Sequence, residues 1–250
     1  TPTAGVATFT GMQATYTSGS ASNENFNLAA SASGLTMATS SQLTAMLPVP
    51  TITSSTYNAT TASLVVTGTE FEANASAADV DVSKLTITGE GGATYTLTTA
   101  GVERDSATQF TVSLNAADKL NVNGLLNTVG TAADNGTTYN IAAGDDFITN
   151  VTAGDTADAT SNQISVSDVV IPTITSATFN GNGTILTVTG TGFVKKPGAN
   201  NDVDVSKITV SGETYATNSM SFVTYTSPYT VTSTSDVEVT SATQFTVTLP

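Results

Sequence analysis

The sequence repeats itself at long range, so its fold must be assembled from copies of one module. PTITSSTYN (50–58) returns as PTITSATFN (172–180), and SLVVTGTEF (63–71) returns within TILTVTGTGF (184–193), both 122 residues on. DVDVSKLTITGE (79–90) returns as DVDVSKITVSGE (202–213), 123 residues on, and SATQFTVSL (106–114) as SATQFTVTL (241–249), 135 on. The widening spacing places insertions in the second copy, at KKPGANN (195–201) and in the Tyr- and Ser-rich stretch 214–235, which read as loops. A third, partial copy lies at the start. NFNLAA (25–30) matches TYNIAA (138–143), and the same register pairs Met12 with Leu125 and Ser22 with Asn135. The chain therefore reads as the tail of one repeat (1–49), a full repeat (50–171) and a repeat without its tail (172–250).

Each module is built of strands. In QFTVSL, Phe110, Val112 and Leu114 share one parity, with Thr111 and Ser113 on the other. Leu64 with Val66, and Leu186 with Val188, alternate in the same way. Gly68 and Gly190 read as punctuation at strand ends. Of the 250 residues, 51 are Thr and 26 are Ser, and β-branched Thr suits a half-exposed strand face. Short strands between turn signals indicate an all-β fold of tandem β-sandwiches. One short helix is expected in the full repeat, at NAADKLNVNGLLN (115–127), with Asn115 as N-cap and Asp118 serving the first-turn amides. Gly124 weakens that helix.

The pattern PTIT…GTILTVTGTGF…VDVSKITV…SATQFTVTLP resembles the IPT/TIG immunoglobulin-like family. Residues 172–250 cover the pattern almost completely. Residues 50–114 match it through ASLVVTGTEF, which lacks the Gly before the strand. Segment 115–171 lies outside the basic pattern and is similar to the extended Ig-like repeats of large bacterial surface proteins, including surface-layer proteins and giant adhesins. The resemblance implies Ig-like sandwiches acting as spacers or interaction modules, and fold alone does not choose between those roles.

Charge narrows the chemistry. The chain carries 20 acidic and 6 basic residues, a net charge of −14. Phosphate-rich partners such as nucleic acid are disfavoured, as is an anionic membrane surface; divalent cations are the natural counter-charge. There is no Cys, His or Trp, which excludes thiolate nucleophiles, structural zinc and Ser–His machinery. No P-loop or nucleophile elbow is present, and the chain is read as a non-enzyme. No apolar run is long enough to insert into a membrane.

Two groups of carboxylates are candidate Ca²⁺ ligands. In DVDVSK, Asp79 and Asp81 alternate oxygens and Glu90 stands at the twelfth position; Asp202, Asp204 and Glu213 repeat that spacing. Lys84 and Lys207 stand where an EF-hand needs Gly, so the expected site is of another shape, at a domain junction. The alternative is that the segment is a solvated strand start. AGDD and AGDTAD supply the second group, Asp145, Asp146, Asp155 and Asp158, although Asp and Gly also favour plain turns. A Lys–Asn cross-link through Lys84 or Lys207 would need a buried Lys, and a surface ion pair is the simpler reading.

The expected role is structural: a bacterial cell-surface component, extracellular, forming a surface layer or fibre by contact with other copies of itself, with Ca²⁺ stiffening the junctions. The alternative is an adhesin module binding a cell-surface glycan through Tyr225 and Tyr229 of SFVTYTSPYT (221–230). The chain opens on Thr1, which reads as a processed product or a piece. The last repeat lacks a counterpart of 115–171, and residues 1–49 match that missing piece. Either the chain is a window on a longer tandem array, or the tail of one copy completes the third repeat of its neighbour.

Overall fold

Alternating apolar residues drive the described strands together in pairs. The structure is a computed structural model, and it describes residues 24–31, 34, 36–45, 49–151, 156–160, 162–180, 182, 184–211, 229–231 and 235–249. Among the described residues it is an all-β fold with one α-helix. The chain divides into two units, one over Thr1–Pro48 with Thr152–Gly154, the other over Val49–Val151 with Asp155–Pro250. Both long repeats, apart from Thr152–Gly154, fall within the second.

The first unit contains β1 (Glu24–Phe26), β2 (Ala29–Ala30), β3 (Ala38–Thr39) and β4 (Leu43–Ala45). They form a nested hairpin. β1 runs antiparallel to β4 with Phe26 opposite Leu43, and β2 runs antiparallel to β3 with Ala29 opposite Thr39.

In the second unit, the first repeat contains β5 (Thr51–Asn58), β6 (Ser63–Thr69), β7 (Leu85–Thr88), β8 (Thr94–Thr96), β9 (Arg104–Ser106) and β10 (Gln109–Ser113). Its extension follows: α1 (Ala116–Leu125), β11 (Asn140–Ala143) and β12 (Ile164–Ser167). The second repeat contains β13 (Thr173–Asn180), β14 (Ile185–Thr191), β15 (Thr209–Val210), β16 (Tyr229–Thr230), β17 (Val239–Ser241) and β18 (Gln244–Thr248).

The repeats share one topology. The order β5-β6-β10-β9 reappears as β13-β14-β18-β17, and β7-β8 reappears as β15-β16. Even the irregularities recur: the register slips between Ile52 and Ser54, and again between Ile174 and Ser176. The extension adds one strand to each sheet. β12 pairs parallel with β5, and β11 pairs antiparallel with β7. Segment 115–171 is thus part of the first repeat's sheets, although it lies outside the sequence pattern of the shorter repeat.

Leu64, Val66, Phe110 and Val112 are buried as their alternation predicts, and so are Leu186, Val188, Phe245 and Val247. Gly68 and Gly190 fall at the ends of their strands, each one residue before the last. There a Cβ would overlap the Thr51 or Thr173 carbonyl and the ring of Phe71 or Phe193. The missing side chain lets that ring lie across the strand and reach its partner. Phe71 meets Phe110 with ring centroids 5.2 Å apart, and Phe193 meets Phe245 at the same 5.2 Å.

Asn115 caps α1 as expected, accepting from the Asp118 amide at 2.8 Å. Asp118 does a different job from the one its position suggests. Its carboxylate turns inward, fully buried, and accepts from the Thr98 and Thr99 amides, both their hydroxyls, and the Tyr95 hydroxyl at 3.0 Å. Burial on its own would raise the Asp118 pKa, but the hydrogen bonds from Thr98 and Thr99 outweigh it and hold the carboxyl below its ordinary value. Tyr57, whose pKa burial pushes up, stays protonated and donates to Asn123 Oδ1 of the helix at 2.6 Å.

A carboxyl with a lowered folded pKa stabilises above the unfolded value of about 3.9, and the contribution is lost as pH falls through the folded value. Asp118→Asn is expected to cost about 3 kcal/mol at neutral pH. Urea denaturation of the variant and the wild type at neutral and acid pH measures both effects: the gap should close as pH falls.

Candidate functional site

The twice-occurring DVDVSK segment folds the same way both times, and its Asp, Val and Ser residues have structural tasks. Asp81 caps a 3-10 turn over Val82–Lys84, accepting from the Ser83 amide at 3.0 Å and the Ser83 hydroxyl at 2.6 Å. Asp204 caps Val205–Lys207 through Ser206 at 3.0 and 2.5 Å. Val82 and Val205 are buried, and the turn drops each into its core. The preceding Val80 and Val203 bridge antiparallel to Val102 and Val237. Lys84 and Lys207 are exposed, so neither has the burial that a Lys–Asn cross-link requires.

The first aspartate of each copy joins two loop backbones. Asp79 accepts from the Asn74 amide and from the Arg104 amide at 3.0 Å. Asp202 accepts from the Lys196 amide at 2.6 Å and the Val239 amide at 2.9 Å. The geometry matches, but the electrostatics do not. At Asp79, burial opposes ionisation, and the two amides together with the Arg104 charge overcome it, so the pKa is lowered. At Asp202, burial and the neighbouring Glu238 carboxylate raise the pKa. Val239 stands in the second repeat where the first has Arg104, and the compensating cation is gone. Glu238 finds its own partners in the Asn201 amide at 3.1 Å and the Lys195 ammonium at 3.7 Å.

Asp145, Asp158 and Glu90 are also engaged by protein donors. Asp145 Oδ1 accepts from the Thr156 amide at 2.8 Å, the Thr156 hydroxyl at 3.0 Å and the Asp146 amide at 3.1 Å; the Thr156 bonds chiefly hold its pKa low. Asp146 stands beside it with φ of 59°. Asp158 reaches across to the Ile52 amide at 2.7 Å and to Asn162 Nδ2 at 3.0 Å. Glu90 accepts from Asn127 Nδ2 at 3.3 Å. Asp155 and Glu213 lie outside the described residues. Among the described residues, no three acidic side chains converge as a cation site, although the first DVDVSK segment and AGDD are neighbours, the Asp81 amide donating to the Phe147 carbonyl and the Gly144 amide to the Lys84 carbonyl, each at 2.9 Å.

The structure does bring together a surface that the sequence reading missed, where the first repeat meets the second. Helix α1 has two faces. Asp118, Val122 and Leu125 lie four and three residues apart and point into the first repeat. Leu120 and Gly124 point to the second. Leu120 packs against the cluster of Leu186, Phe193, Val205 and Phe245, and its carbonyl accepts from the Lys195 amide at 3.1 Å. Gly124 is buried so closely under Lys195 that a Cβ would overlap the Lys195 carbonyl. Lys119 Nζ, one turn earlier, donates to the Thr60 carbonyl at 2.7 Å. The signal for this contact was the glycine in an otherwise regular helix, four residues after an apolar Leu.

Tyr229 occupies a position of the repeat itself. It lies in β16 opposite Val210 of β15, as Tyr95 in β8 lies opposite Ile87 of β7. The stretch that the second repeat inserts ends before it. Tyr225 lies outside the described residues.

The contrast between the two aspartates has a measurable consequence. A lowered folded pKa makes the Asp79 charge favourable at neutral pH, whereas a raised one makes the Asp202 charge unfavourable there. We expect Asp79→Asn to cost about 2 kcal/mol and Asp202→Asn less than about 0.5 kcal/mol, by urea denaturation at neutral pH. Comparison with known protein families, curated proteins and solved structures finds no match to this chain.

Proposed function

We propose that the chain is a structural component of a bacterial cell-surface assembly, a surface layer or a surface fibre, made of Ig-like repeats joined head to tail. The interlocked junction is the observation that carries this reading. One helix is anchored in the first repeat through Asp118 and packs Leu120 against the apolar cluster of the next. A flexible linker would leave the repeats free to swivel; a shared helix transmits load and fixes orientation. The acidic, Ser- and Thr-rich composition suits an exposed extracellular surface, and no helix among the described residues is long and apolar enough to cross a membrane. Most of the carboxylates described above accept from backbone amides, which is structural chemistry. Ca²⁺ at the junctions remains part of the proposal through the net charge of −14 alone.

Two measurements test this reading. Gly→Ala at a free helix position gains up to about 1 kcal/mol, but Gly124→Ala should lose stability and separate thermal unfolding into two transitions, because the methyl group pushes Lys195 away. A single transition at higher temperature would remove the interlock. On cells, antibody against the chain should label the intact surface, and proteolysis of whole cells should abolish the label. Label found only after lysis would refute the surface assignment, and label indifferent to a chelator wash would remove the Ca²⁺ part.

A further inference from the structure

The junction between the two repeats holds a cleft as well as a contact. Beside Leu120 lies a cavity of about 520 Å³, within the range of about 300–1,000 Å³ usual for small-molecule sites. One wall belongs to the first repeat: Thr60, and helix α1 through Ala116, Lys119 and Leu120. The other belongs to the second: Phe193, just after β14, and the Ser241–Thr243 turn between β17 and β18. Val170, in the segment that joins β12 to β13, also lines it. Neither repeat forms the cleft alone.

Its lining is mostly hydrocarbon with a single charge. Among the described residues, Lys119 is the one charged group that lines it. The ammonium has three donors and spends one on the Thr60 carbonyl at 2.7 Å. No carboxylate among the described residues pairs with it; the ion pair described there is that of Lys195 with Glu238. Asp168 comes near, since its carbonyl accepts from the Thr60 hydroxyl at 2.9 Å, but its carboxylate is held by Asn58 Nδ2 at 2.6 Å. In a chain of 20 acidic and 6 basic residues, an ammonium with no acid beside it stands out. Across the cleft, the Ser241 and Thr243 hydroxyls lie 3.2 Å apart and add neutral hydrogen-bonding groups.

We propose that this cleft binds a small monocarboxylate with an apolar body, its carboxylate on Lys119 Nζ and its hydrocarbon between Leu120 and Ala242. A charge-assisted hydrogen bond is the strong kind, and an apolar lining that excludes water strengthens it. Other ligands suit the cleft less. A phosphate dianion would meet one cation in the field of a chain of net charge −14. A sugar ring would need an open aromatic face, and Phe193 is only 7% exposed. A molecule held here touches both repeats, so its binding free energy adds to the stability of their joined form. Binding needs the junction alone and does not depend on where the chain resides.

Calorimetric titration of the full chain with octanoate at neutral pH tests this. Octanoate should bind saturably, one molecule per chain. Octanamide keeps the body without the charge, and acetate keeps the charge without the body; each should bind at least about tenfold more weakly. Lys119→Gln should weaken octanoate by at least about tenfold and leave octanamide unchanged. Ala242→Trp fills the cleft from the opposite wall and should abolish octanoate binding with Lys119 intact. Lys119 is half-buried and Ala242 exposed, so both variants should keep the wild-type circular dichroism. In nuclear magnetic resonance spectra, the amide signals of Leu120 and Thr243 should both move as octanoate is added. Absence of saturable binding, octanamide binding as tightly as octanoate, octanoate binding unchanged in either variant, or signals that move only elsewhere would each overturn the proposal.

Discussion

The fold depends on the addition of one strand to each sheet by residues that follow the basic repeat. Without β11 and β12, the two sheets are narrow and their outer strands show apolar side chains to water, as the second repeat illustrates. With them, Ile52, Tyr57, Leu85 and Ile87 are enclosed and the first repeat acquires a closed core. Hydrophobic burial supplies the drive, but polar groups set the geometry. Asp158 from the extension holds the Ile52 amide, and Asp118 holds Thr98 and Thr99. A chain with few charges has used its aspartates to tie loops and helix to strands.

That economy accounts for the repeated DVDVSK. Clustered aspartates in an acidic chain invite a cation reading, yet both aspartates of each DVDVSK copy meet amide donors of their own chain. The two copies diverge only in what surrounds them. At Asp79 the two amides and the Arg104 charge overcome burial, whereas at Asp202 burial and the Glu238 carboxylate prevail over the same backbone contacts. Duplication preserved the shape, while the local charge was free to drift.

Much of this architecture was legible in the residues. The parity of Phe110, Val112 and Leu114 gave the buried face, and the duplicated segments gave the matching strand order. Asn115 marked the helix start. Other features were hidden because they depend on distant neighbours. Nothing local in NAADKLN says that Asp118 turns inward, since its partners Thr98 and Thr99 lie some twenty positions earlier. Gly68 and Gly190 do fall near strand ends, but only the approach of a phenylalanine ring explains why glycine is required there. Gly124 looked like a defect in a helix, and the Lys195 backbone above it supplies the reason. The role of 115–171 in both sheets was invisible to pattern comparison, because the copy that best fits the pattern is the one without it.

The direction of β12 carries a mechanical consequence. β5 opens the first repeat and β12 closes it, and the two run parallel as direct neighbours. A pull on the chain at the beginning of β5 and the end of β12 therefore slides one strand lengthwise past the other. In that sliding geometry the bonds from the Ser55 amide to Gln163 and from the Ala59 amide to Ser167 are strained simultaneously, whereas an antiparallel pair tugged from one end would peel open bond by bond. The repeat is thus braced against being drawn out along its own axis.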